Sequence, residues 1–78
     1  MTGQLTLDVD PTVTITVCER RDGEERELRI GPLPEPDARA LAAFLLNRRQ
    51  PPDADASDAD GPWRLPIAGG VRTVRFDR

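Results

Sequence analysis

Apolar and polar residues alternate along the opening part of the chain. Leu5, Leu7 and Val9 take every second position, and Val13, Ile15 and Val17 resume the pattern after Asp10-Pro11. A period of two is that of a strand with one face buried. Proline cannot donate to a ladder, so the first piece is expected as a separate short edge strand or a bent continuation of the second. Thr12, Thr14, Thr16 and Cys18 occupy the other face, and the β-branched content favours a strand. Residues 1–4 are expected to be loose.

Arg21-Asp22-Gly23-Glu24 predicts a tight turn. Asp-Gly suits the two positive-φ positions of a type I′ hairpin loop. That loop sets Val17 opposite Leu28 and Ile15 opposite Ile30, all on one face. It also sets Glu19 against Arg26, Arg20 against Glu25 and Arg21 against Glu24. A one-residue slip would scatter the apolar and the charged pairs together.

The stretch Pro36 to Arg49, PDARALAAFLLNRR, is the one segment with helical spacing. At about 100° per residue, Ala38, Leu41, Ala42 and Leu45 form a stripe with Leu46 beside it. That stripe is expected to pack on the sheet. Pro36 suits the first helical position. Glu35 and Asp37 complement the positive end of the helix dipole, and Arg48 and Arg49 the negative end. Pro51-Pro52 is expected to stop the helix.

Residues 51–62 are rich in Pro and Asp and carry no large apolar side chain. They are expected to be a mobile linker that does not pack. Trp63, Leu65 and Ile67 alternate again, as do Val74 and Phe76. A Gly69-Gly70 loop would set Leu65 against Val74 and Trp63 against Phe76. It would also put Pro66 at a pair that should exchange hydrogen bonds, which proline cannot do. Either that strand is short or 71–76 pairs elsewhere in the sheet. The whole predicts an α+β fold: a two-layer sandwich, β-β-α-β-β in order, with a mainly antiparallel sheet and one helix on one face.

Length changes the picture little: 78 residues make one small domain, which buries roughly 60% of its unfolded surface and gains from oligomerisation. Cys18 is alone, so no internal disulfide forms and a reducing compartment fits. No leader or membrane-length apolar run is evident, and a soluble, cytoplasmic protein is expected. Eleven arginines and no lysine suggest a high-GC bacterial genome. The net charge of −3 conceals a split: acidic up to Asp60, and basic after it through Arg64, Arg72, Arg75 and Arg78.

Candidate chemistry is sparse. Asp53, Asp55 and Ser57 match the first ligand positions of an EF-hand loop, but Asp58 stands where glycine is needed and Arg64 where glutamate is needed. Neither a metal nor a cofactor is expected. Without histidine, Cys18 has no base to activate it, and neighbouring Glu19 opposes its ionisation. No phosphate loop or serine elbow occurs, so no catalysis is expected. The back of the helix, Ala40, Ala43, Phe44 and Asn47, is free of charge and is the expected protein interface, with a second copy as the first choice of partner. A sheet edge offers an equally simple contact. The alternative is nucleic-acid binding by Arg64, Arg72, Arg75 and Arg78 with Trp63 and Phe76 interleaved.

Overall fold

The alternating segment forms strand β1 (Thr12–Arg21), and the Asp-Gly turn returns the chain as β2 (Glu24–Pro34). Both turn residues have positive φ, +54° at Asp22 and +84° at Gly23, as a type I′ loop requires. The pairs are those the turn dictates: Val17 with Leu28, Ile15 with Ile30, Glu19 with Arg26 and Arg20 with Glu25. Beyond Ile30 the register shifts, and Val13 meets Leu33. The extra residue lies on β2 around Gly31, where an added Cβ would come within 3.0 Å of the Val13 carbonyl oxygen. The computed structural model describes residues 11–78. The expected strand at 5–9 and the loose start at 1–4 fall outside them.

Helix α1 (Glu35–Leu45) follows β2, and β3 (Trp63–Ile67) and β4 (Gly70–Asp77) complete the chain. All pairings are antiparallel and the strand order is β2-β1-β4-β3. The chain therefore has the expected order of elements in an α+β sandwich. β4 lies between β3 and β1, with Val17 opposite Val74 and Ile15 opposite Phe76. Among the described residues no helix is long and apolar enough to cross a membrane.

The helix is shorter than its apolar run. It ends at Leu45, well before Pro51-Pro52. Asn47 takes a left-handed φ of +55°. The Arg48 amide donates to the Ala43 carbonyl and the Asn47 amide to that of Phe44, the two bonds of a Schellman cap with asparagine in the left-handed position. Arg48 and Arg49 thus lie beyond the helix rather than in its last turn.

The helix is also rotated from its expected setting. Ala38, Arg39, Ala42, Ala43 and Leu46 are buried, whereas Leu41 and Leu45 are half-buried against the core. The sheet extends past β1 to β4 and β3, so the flank carrying Arg39 and Ala43 is the covered one. The core beneath is Val13, Ile15, Val17, Trp63, Val74 and Phe76. Trp63 meets Phe76 edge-on at 5.0 Å between ring centroids. They are diagonal rather than opposite, because the C-terminal hairpin turns at Ala68-Gly69 and pairs Trp63 with Val74. In this register the pair flanking the loop, Ile67 and Gly70, exchanges hydrogen bonds, and so does every second pair after it. Pro66, opposite Val71, then needs no N–H toward β4.

Residues 51–62 do pack, contrary to expectation. Pro52 is buried, and turns close at Ala56, Ala59 and Gly61 through backbone bonds to Asp53, Ala56 and Asp58. Arg39, 7% exposed, holds the segment down with its guanidinium. It donates to the Pro52 and Ala59 carbonyls at 3.3 and 3.0 Å and lies 5.1 Å over the Phe76 ring. Glu35 neutralises it one helical turn away at 2.7 Å. Buried carbonyls and a buried cation satisfy one another.

Candidate protein interface

Of the four helix-back residues, three are exposed: Ala40, Phe44 and Asn47. Ala43 is not; it is buried beneath the flank that Arg39 anchors. Asn47 has a conformational role, because its left-handed backbone closes the helix. The face that remains is dominated by Phe44, which is 78% exposed.

A second exposed apolar residue sits on the sheet. Leu28 shares a face with Val17 yet is 59% exposed, so it lies outside the seam the alternation predicts for it. Position explains this. Arg39 overlies Phe76 of β4, which turns that flank of the helix toward β4. At 100° per residue, Leu41 and Leu45 fall on the opposite flank, toward β2, and Phe44 on the back of the helix, away from the sheet. Arg72 donates to the Leu45 carbonyl and to Glu19, and Glu19 pairs with Arg26. The last helical turn therefore stands level with 26–28 of β2. Leu28 on β2 and Phe44 on the back of the helix are the large apolar residues left exposed among the described residues.

Leu28 lies on a strand at the edge of the sheet. Among the described residues, β2 and β3 each have one unpaired side. Along β3 the outward positions are Pro62, Arg64 and Pro66, so little remains there to donate. Along β2 they are Glu25, Glu27 and Arg29, whose N–H and C=O have no strand partner among the described residues.

The four C-terminal arginines are dispersed. Arg72 is on the helix face, bound to Glu19 at 2.7 Å. Arg78 bridges Glu35 and Asp60 at 3.0 and 2.8 Å. Arg75 contacts Asp77 at 3.3 Å on the open face of the sheet. Only Arg64 lacks an ion-pair partner among the described residues. Trp63 and Phe76 are buried in the core rather than offered to bases.

The open face carries a depression of about 470 Å³ lined by Cys18, Arg20, Glu25, Arg64, Val71 and Thr73. Burial raises the Cys18 thiol above its usual range, and Glu27, 3.8 Å away across the strand pair, raises it further. Glu19 points to the other face and plays no part. Thr16 donates to Asp77, and this bond, with Arg75 beside it, holds Asp77 low. Bonds from Arg78 and then Arg39 hold Glu35 down to about 2. Bonds from Arg78 also lower the Asp60 carboxyl below its usual range. These carboxylates are tied up as structural partners.

The sequence reading overlooked Leu28 as a surface residue and Arg39 as a buried one. The signal for Arg39 was the Glu35/Arg39 spacing of one helical turn. No family model, curated protein or solved structure matches this chain.

Proposed function

We propose that this chain is a non-catalytic interaction module that self-associates through the β2 edge and the exposed Phe44 of α1. The observation that carries this reading is the exposure of Phe44 on the helix and of Leu28 on β2. Both are large and apolar, and Leu28 lies on a strand whose outer edge is unpaired among the described residues. A chain this small gains stability by covering such residues. Glu35, Asp60 and Asp77 are committed to arginine or threonine and the Cys18 thiol ionises late, which supports a role without catalysis. The lone cysteine supports a cytoplasmic setting.

Nucleic-acid binding has less support, since three of the four arginines it needs are already paired with carboxylates. The test is sedimentation velocity over a concentration series, with Phe44→Glu and Leu28→Glu alongside. Reversible association of the native chain, weakened by both substitutions, supports the proposal. A native chain that sediments as a monomer throughout refutes it.

A further inference from the structure

We infer that the partner is a second copy docked antiparallel on β2, with Leu28 on the two-fold axis and Glu27 of each copy opposite Arg29 of the other. This rests on the self-association reading and gives it a register. Two identical edge strands pair antiparallel about an axis perpendicular to the sheet. Opposed residues then share a face, so the axis must pass through a residue rather than between two.

The sequence of β2 leaves one such residue. From Glu24 to Arg29 every position is charged except Leu28. Centring on Glu25, Glu27, Arg26 or Arg29 would oppose like charges at the axis, which is destabilising. Centring on Ile30 would run Leu28 into the bulge near Gly31 and Pro32. Centring on Leu28 sets Glu27 against Arg29 twice.

The backbone agrees. Leu28 is opposite Val17, at a pair whose hydrogen bonds are directed to β1, so on its outer side Leu28 occupies a non-hydrogen-bonded site. There the two Cα atoms approach to about 4.5 Å and side chains are closest. Glu27 and Arg29 direct their N–H and C=O outward and can exchange both bonds with the partner. The pairing joins two four-stranded sheets into one. It places both helices on the same face. β3 cannot serve equally, because Pro62 and Pro66 remove its outward donors.

The test combines charge reversal with cross-linking in the full chain. Glu27→Arg alone and Arg29→Glu alone each create two like-charge pairs and should weaken association at least about tenfold. The double reversal should restore it. In a Cys18→Ser background, Leu28→Cys should give a disulfide-linked dimer on mild oxidation, since a Cα separation of about 4.5 Å lies within the range a disulfide spans. Arg26→Cys in the same background should not.

A dimer disrupted by Phe44→Glu but indifferent to both charge reversals, or cross-linked through Arg26→Cys, overturns this register and leaves self-association standing. A monomeric native chain overturns both. So does a monomer whose 25–29 amides are protected from hydrogen exchange, since the edge would then be covered within one chain.

Discussion

Arg72 reaches from β4 to Glu19 on β1 with 2.7 Å between guanidinium and carboxylate, and the same side chain donates to the Leu45 carbonyl at 2.9 Å. One cation thereby joins the two central strands and satisfies an orphan carbonyl at the negative end of the helix dipole. Arg72→Ala should cost about 1–2 kcal/mol, and Arg64→Ala less than about 0.5 kcal/mol. Chemical denaturation of the two variants checks this. Equal, negligible effects would mean that Arg72 is an ordinary surface residue.

Gly70 is set where β4 enters the sheet against β1. A Cβ there would overlap the Arg20 carbonyl. Gly70→Ala should destabilise by about 3 kcal/mol or more, because the strands must separate to admit the methyl group. Gly23 is the contrast: its φ is +84° but a Cβ meets nothing within 4 Å. Gly23→Ala should cost about 1 kcal/mol, the backbone penalty alone. Thermal melts of the two variants should separate clearly.

The first hairpin was legible because two independent signals coincide in it. Asp22-Gly23 selects the loop, and the same loop pairs apolar with apolar and acid with base. The second hairpin gave a conflict at Pro66, and the conflict held the answer: turning at Ala68-Gly69 removes it. The end of the helix was misread from Pro51-Pro52, although Asn47 followed by arginine is a stop in its own right. The rotation of the helix was not legible. Periodicity identifies apolar positions but not a buried arginine, and Arg39 is buried between Phe76 of β4 and residues 51–62. Phe44 as a surface residue was legible; the exposure of Leu28 depends on where the helix ends.

Arg39 makes a prediction about that segment. Arg39→Met retains most of the packing volume but leaves the Pro52 and Ala59 carbonyls unpaired. The expected cost is about 2–4 kcal/mol. Amides of Ala56, Ala59 and Gly61, bonded within the segment, should exchange faster in the variant. Unchanged exchange would show that the turns hold without the arginine.

Glu35, Asp60 and Asp77 are all held below the usual carboxylate range, Glu35 down to about 2. A lowered folded-state pKa means that the unfolded chain binds protons first as pH falls. The stability these groups supply is therefore fully present above about pH 5, given unfolded values near 4. It is lost progressively toward pH 2. Melting temperature should be level from pH 7 to 5 and fall below that, and Glu35→Gln should flatten the fall. A melting temperature that rises on acidification would contradict these pairings.

The most direct measurement is the solution mass of the native chain by sedimentation equilibrium, from low to high micromolar concentration. Self-association through the β2 edge and the exposed Phe44 predicts a mass rising from 8.6 kDa toward twice that value, with Phe44→Glu remaining at the monomer mass. A native chain that stays at the monomer mass across the series would contradict it.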